Sequence, residues 1–133
     1  MGSETLRVYF PIRPEVEMVD DKQWRVVNGF NVVIEEAGQE PVSISVPAGF
    51  VSNFASVPRA PLTYMLFGGI GNTEALLHDY LYSTAEHPRE WCDAVYHQAL
   101  LANTSIPAWK ADKMYAAVRA FGGSHYNQGD SHA

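Results

Sequence analysis

The first half of the chain alternates apolar and polar residues with the period of two that is typical of half-buried β-strands. The alternation is strict over residues 42–46, so one face of this segment is expected to be buried and the other to face water. Asn28-Gly29 favours the positive φ angles of a tight turn and predicts a hairpin between its two flanking runs. The strand-like runs, separated by proline and glycine, cover residues 6–10, 23–27, 30–35 and 42–46.

The second half, after residue 60, has the composition and the start and stop signals of helices. Asn72 or Thr73 can cap a first helix that continues through Tyr82. Proline suits the first turn of a helix, so Pro88 predicts a second helix to about residue 101 and Pro107 a third that ends at Gly122-Gly123. The apolar members of this third helix, expected to be core rather than chemistry, are Trp109, Met114, Tyr115, Val118 and Phe121.

Together these patterns predict an α+β fold, in which an N-terminal antiparallel β-sheet or hairpins is followed by about three packed helices. No repeat or linker divides the 133 residues, so residues 1–123 are predicted to be one domain around one core. Residues 124–133 are polar and are predicted to form a flexible tail, because they bury too little apolar area to offset their ordering entropy. Tyr126 is the anchor through which this tail would bind a partner or a neighbouring subunit.

Composition narrows the classes of partner. Fifteen acidic and nine basic residues give a net charge of −6, without the basic patch that nucleic-acid binding requires. No apolar run approaches the ~20 residues needed to cross a bilayer, and the first residues do not resemble a signal peptide. The single cysteine, Cys92, excludes an internal disulfide and the cysteine-rich zinc sites, which fits a reducing cytoplasm.

The segment 49–59 mixes aromatic, small and polar residues directly after a strand, as functional loops often do. Asn53, Ser56 and Arg59 are its candidates for catalysis or binding. The alternative is a structural crossover, in which the apolar side chains anchor in the core while Asn53 and Ser56 bind backbone groups.

Two predicted helices carry histidine and aspartate side chains that could meet. His78 and Asp79 are adjacent on the first helix, whereas Asp93 and His97 lie four residues apart on one face of the second. Imidazole and carboxylate groups of this kind can hold a divalent metal, which is the one cofactor that the sequence suggests. The structural alternative is a buried polar network, because a buried aspartate must be paired or hydrogen-bonded. Asp93 or Asp79 is therefore expected to be buried and hydrogen-bonded, with Arg59, Arg89 or backbone N–H groups of the 49–59 loop as partner.

A longer pattern runs through these residues. Segment 46–59, Val-Pro-Ala-Gly-Phe-Val-Ser-Asn-Phe-Ala-Ser-Val-Pro-Arg, is followed by Leu-His-Asp-Tyr-Leu-Tyr at 77–82. Over residues 5–123 the chain resembles a phage and prophage family catalogued as domain of unknown function 1353. The family commonly has aspartate where this chain has Asn53, so a mechanism that needs a carboxylate there is in doubt. Further matching positions are Arg89, Asp93, Tyr96, Ala99, Leu100, Met114, Tyr115, Val118, Arg119 and Gly122.

The resemblance implies a phage context without an established activity. A phage-encoded accessory or virion- or tail-associated interaction protein is the first hypothesis, with phage proteins as partners and with homo-oligomers left open. It would act in the cytoplasm of the bacterial host during infection and could then be assembled into the virion. The alternative is a small metal-assisted hydrolase, in which His78, Asp79 and Asp93 hold the metal. In that mechanism His97 is a fourth ligand or base, and Arg59 binds an anionic group.

Overall fold

Two antiparallel three-stranded sheets form the N-terminal half of the computed structural model, which describes residues 6–11, 15–20, 23–52 and 71–126. The first sheet has the order β1-β4-β5 and the second has the order β2-β3-β6. The strands are β1 (Leu6–Tyr9), β2 (Val16–Asp20), β3 (Gln23–Val26), β4 (Phe30–Glu36), β5 (Val42–Val46) and β6 (Val51–Ser52).

Three helices follow in the described residues, and a short 3-10 turn continues the last of them. They are α1 (Asn72–Thr84), α2 (Arg89–Ala102), α3 (Ala108–Phe121) and the turn Gly122–His125. Pro88 and Pro107 stand at the N-caps of α2 and α3 with φ of −58° and −60°. The fixed φ of proline suits these positions, where its missing N–H group breaks no intrahelical hydrogen bond.

The hydrophobic core lies between the first sheet and the helices. Alternate residues of β4, beginning with Phe30, point inward and are buried, while Asn31 faces water. Helix α2 packs against β1, and it also contacts both α1 and α3. The predicted α+β fold, with its antiparallel strands and three packed helices, is thereby confirmed.

The predicted hairpin at Asn28-Gly29 is wrong, because the two flanking strands belong to different sheets. The hairpins around it are β2–β3 and β4–β5, and Gly38 supplies a positive φ of 79° in the second. Gly29 has no positive φ and is needed for a different reason. A Cβ atom at this position would lie 3.2 Å from the carbonyl oxygen of Val46 and 3.3 Å from the amide of Ala48.

The prediction that Trp109 and Phe121 belong to the core is also wrong. Their side chains are 58% and 72% exposed, and the buried positions of α3 are Ala111, Met114 and Val118. At 100° per residue, Trp109 lies about 160° around the helix from Ala111 and therefore faces solvent. Phe121 is the last residue of the helix.

The end of the described chain is held against the domain. Tyr126 donates a hydrogen bond to the backbone oxygen of His87 at 2.5 Å, and its ring packs edge-on against Tyr82. Tyr126 was predicted to anchor the tail on a partner, but it contacts its own domain. Residues 127–133 lie outside the described residues. None of the helices in the described part has the length and apolar character that a bilayer crossing requires.

Candidate functional site

The carboxylate of Asp93 lies where the three helices meet, and no part of its surface is exposed to solvent. His78 and Tyr82, one turn apart on α1, contact its Oδ1 atom at 2.7 and 2.6 Å. From α3, the guanidinium of Arg119 donates to Oδ2 at 2.7 Å. The expectation that Asp93 is buried and hydrogen-bonded is confirmed, and its observed partners join α1 and α3 to α2.

Arg89 extends this network from the first turn of α2 to the end of α3. Its Nε atom donates to the hydroxyl of Tyr82 at 3.1 Å and lies 3.9 Å from Oδ2 of Asp93. Its Nη2 atom donates to the carbonyl oxygens of Val118 and Arg119 at 2.7 and 2.8 Å. The last carbonyls of a helix have no intrahelical partner, so a cation at this end satisfies them and interacts favourably with the helix dipole.

His78 is enclosed as completely as Asp93. Its ring centroid lies 4.1 Å from that of Tyr82 and 4.7 Å from that of Tyr96, and its exposed fraction is 0%. Glu74, one turn earlier on α1, is also buried and accepts a hydrogen bond from Asn103. The side of α1 that faces α2 is therefore polar and buried, in a helix whose other buried residues are apolar.

Burial and hydrogen bonding shift the pKa of Asp93 in opposite directions. Burial by itself would raise the pKa of Asp93, but the hydrogen bonds from His78, Tyr82 and Arg119 outweigh burial and lower this pKa below 3.8. Burial and the adjacent carboxylate raise the pKa of Tyr82 well above its ordinary value. At neutral pH the network therefore contains an ionised Asp93 and a protonated Tyr82.

A pH dependence of stability follows from the lowered pKa of Asp93. Asp93 contributes to the free energy of unfolding at pH values above its pKa in the unfolded chain, near 3.8. This contribution is lost as the pH falls through the lower pKa that Asp93 has in the folded protein. We expect Asp93→Asn to reduce the free energy of unfolding at pH 7 and to converge towards the wild-type value below pH 3.8. Urea unfolding of both proteins between pH 2 and 7 checks this, and a constant difference over that range would refute the coupling.

The geometry favours holding helices together over acting on a substrate. Both oxygens of Asp93 already accept short hydrogen bonds, and the imidazole that it orients faces two tyrosine rings. Across the described ranges, no group of three histidine, cysteine or acidic side chains has the arrangement needed to hold a metal ion. The arrangement is that of a buried, charge-assisted network, in which removal of one member leaves the others unpaired.

Of the four residues proposed for a metal, the structure joins only His78 and Asp93. Asp79 accepts a 2.6 Å hydrogen bond from Ser52 on β6, which attaches α1 to the second sheet. His97 contacts Asp112 on α3 at 2.8 Å and stacks on Tyr115. Asp79 therefore makes its contact between α1 and the second sheet, and His97 makes its contact between α2 and α3.

Asn53, Ser56 and Arg59, the candidates from the loop, lie outside the described residues. Ser52, the residue before them, contacts Asp79. The predicted packing of this loop against the first helix stays a prediction.

Cys92 is part of the core. Its side chain is fully buried between α2 and its neighbours. Burial, reinforced by the adjacent negative charge of Asp93, raises the pKa of the thiol to about 12. The thiolate form that nucleophilic chemistry needs is therefore scarce at neutral pH.

Arg119 and Tyr82 were missed as members of the network. Both residues were named only as parts of the family pattern or of a predicted helix, and Arg119 is 26 residues from Asp93. A signal did exist for Tyr82, because it stands four residues after His78 and residues at this spacing share a helix face. For Arg119 the sequence signals were its match to the family pattern and its place in the last turn of a helix, which is common for surface arginines.

The model of a protein family of unknown function, DUF1353, matches residues 19–118 of the chain. The chain belongs to the DUF1353 family. No curated protein matches it, and no solved structure matches it. The matched residues of this DUF1353 protein include His78, Tyr82, Arg89 and Asp93, so most of the buried network lies within the family region.

Proposed function

We propose that this DUF1353 protein is a phage or prophage accessory protein that binds another phage protein, in the virion or its tail. The exposed outer face of α3 carries this proposal. The resemblance of segment 46–59 and of the following helices to phage and prophage proteins supplies the phage context. The protein would act in the host cytoplasm during infection, where particles assemble.

Helix α3 presents two of its three large aromatic side chains to solvent. Trp109 in the first turn and Phe121 in the last are the most exposed of the large hydrophobic side chains in the described residues. Twelve residues at a rise of 1.5 Å place them about 18 Å apart along the helix. Tryptophan is enriched among the residues that dominate binding energy at protein interfaces, so Trp109 is suited to be the anchor.

The charge of α3 differs from that of the rest of the chain. The helix has three basic residues and one acidic residue, whereas the whole chain has nine basic and fifteen acidic residues. The ammonium groups of Lys110 and Lys113 lie 5.7 and 5.9 Å from the centre of the Trp109 ring. A partner with an apolar pocket and acidic groups at its rim would complement this surface.

The experiment is mass spectrometry of purified particles from cells that produce the wild-type protein or Trp109→Ala. We expect the wild-type protein to copurify and the variant to be depleted at least ~30-fold, since truncation of an anchor costs about 2 kcal/mol or more. Tyr9→Ala is the matched control, because Tyr9 is an exposed aromatic residue that belongs to β1 and not to α3. Absence of the wild-type protein from particles, or equal depletion of both variants, would contradict the proposal.

The alternative, a small metal-assisted hydrolase, would need Asp93 and His78 to exchange their present partners for a metal. That exchange would leave Arg119 and Tyr82 without their acceptor at the junction of the helices. No specific contact in the described residues favours this alternative over the structural network.

A metal titration separates the two hypotheses. We expect added Zn²⁺, Mn²⁺ or Mg²⁺ to leave the melting temperature of the wild-type protein within about 1 °C, because a ligand stabilises only when it binds the native state. Differential scanning fluorimetry measures this shift. A saturable rise in the melting temperature of the wild type that is absent in His78→Ala would favour the hydrolase.

A further inference from the structure

Strand β5 lies at the edge of the first sheet and pairs only with β4 among the described strands. A sheet edge presents a row of backbone donors and acceptors that can pair with another strand. Proteins usually protect such an edge with a charged residue or a bulge. Residues 42–46, Val-Ser-Ile-Ser-Val, contain no charge, and the register with β4 is regular.

Among the residues that the structure describes, the space beside this edge is open. A cavity of about 280 Å³ lies between β5 and α1 and is lined by Val42, Ile44, Tyr80 and His87 among others. Val42 and Ile44 are only half-buried, whereas Val46 of the same strand is fully buried. The apolar side chains at this edge therefore keep part of their surface in contact with water.

The sequence of β5 is a palindrome centred on Ile44. In an antiparallel pair of two such strands, Val42 stands opposite Val46 and Ser43 stands opposite Ser45 of the other copy. Directly opposed residues share a face of the sheet, with Cβ atoms about 4.5–5.5 Å apart. The half-buried inner face would thus continue across the junction as valine and isoleucine, and the outer face as serine.

Charge and backbone chemistry fit the same arrangement. In a twofold dimer each charged residue is present once in each copy. A strand that pairs with itself must therefore have no like charges at positions that stand opposite each other. The nearest acid, Glu40, would stand opposite Ala48 of the other copy. Pro41 and Pro47 lack backbone N–H groups and would limit the ladder to the five residues between them.

We propose that the protein forms a homodimer by antiparallel pairing of β5 with β5 of a second copy about a twofold axis at Ile44. The two first sheets join into one six-stranded sheet of order β1-β4-β5-β5-β4-β1. The paired edges shield Val42 and Ile44 of both copies from water. This interface is separate from α3, and it does not depend on the proposed virion partner.

Charged side chains introduced on the exposed outer face of β5 test both the association and the register of the two strands. In Ser43→Lys/Ser45→Lys, each lysine would stand opposite a lysine of the other copy. The same holds for glutamates in Ser43→Glu/Ser45→Glu. Ser43→Lys/Ser45→Glu is the matched control, because it carries the same number of charged side chains but places each lysine opposite a glutamate.

Sedimentation velocity over a range of concentrations gives the result. We expect the wild type and the mixed-charge control to reach twice the monomer mass of 14.7 kDa. Each like-charge variant is expected to dimerise at least roughly tenfold more weakly, and an equimolar mixture of the two like-charge variants to form a heterodimer. Circular dichroism confirms that each variant is folded.

Two outcomes would overturn the dimer. One is a wild-type protein that sediments as a monomer at every concentration. This outcome would also arise if the β5 edge pairs with a different strand instead of a second copy. The other is a dimer that the two like-charge variants form as tightly as the wild type does, because that dimer would use another surface.

Discussion

Replacement of Asp93 by alanine is expected to reduce the free energy of unfolding by about 3–5 kcal/mol, because it breaks a buried pair and leaves its partners without their acceptor. His78 and Tyr82 would remain fully buried, and Arg119 would lose the carboxylate that links it to α2. The lost side chain also leaves space at the junction of three helices. Chemical denaturation measures the change.

Asp112→Ala is the control for this substitution. Asp112 also contacts a histidine, His97, at 2.8 Å, but its side chain is 65% exposed. Exposed ion pairs contribute about 0–1 kcal/mol, so the control should remain close to the wild type. Equal destabilisation by the two substitutions would show that Asp93 has no special role in holding the helices.

Replacement of Arg89 by alanine is expected to cost about 1.5–3 kcal/mol, which is typical of hydrogen bonds made by a charged group. The destabilisation should be greatest at the end of α3, because Nη2 of Arg89 donates to the carbonyls of Val118 and Arg119. Amide exchange should therefore increase most in the last turn of α3. Arg89→Lys should restore little of the stability, since an ammonium cannot reproduce the geometry of a guanidinium that binds at several points.

Arg25→Ala is the matched control for Arg89. Arg25 forms an ion pair with Glu17 at 2.8 Å between two neighbouring strands, and both side chains are about half exposed. Its removal should change the free energy of unfolding by less than about 1 kcal/mol and leave exchange in α3 unaltered. Unchanged exchange in α3 after Arg89→Ala would contradict the assigned role of Arg89.

Local patterns were sufficient for the elements but not for their pairing. The alternation in residues 42–46 and the prolines at 88 and 107 located β5, α2 and α3, because these signals depend on near neighbours in sequence. Strand β2 (Val16–Asp20) was not predicted. Asn28-Gly29 suggested a hairpin, but the chain crosses there from one sheet to the other, and Val26 pairs with the backbone around Phe50 instead. Such long-range pairing leaves no signal in a short sequence window.

In the candidate site too, contacts that depend on local sequence patterns could be predicted, whereas contacts that depend on helix packing could not. His78 and Asp93 were grouped from the sequence as ligands of one metal or as parts of a buried polar network, because a buried aspartate needs a partner. The structure joins them by a direct hydrogen bond. Arg119 could not be assigned in this way, since its contact depends on how α3 crosses α2. Helix packing also determines which face of α3 is buried, so the exposure of Trp109 could not be inferred from its apolar character alone.

The buried network and the exposed face of α3 belong to one physical account. Arg89 and Asp93 fix the last turn of α3 against α1 and α2 through Arg119 and the helix carbonyls. A helix that is fixed in this way presents Trp109 with little loss of conformational entropy on binding. Under the proposed function, the polar residues would position the binding face and the aromatic residues would contact the partner.

Hydroxyl-radical footprinting of the free protein and of purified particles tests this account most directly. The account predicts that Trp109 and Phe121 are oxidised readily in the free protein and protected in the particle. Tyr9, which is 41% exposed on β1, should be oxidised equally in both states. Equal oxidation of Trp109 in the two states, or protection of Tyr9 in its place, would contradict the claim that α3 binds the partner.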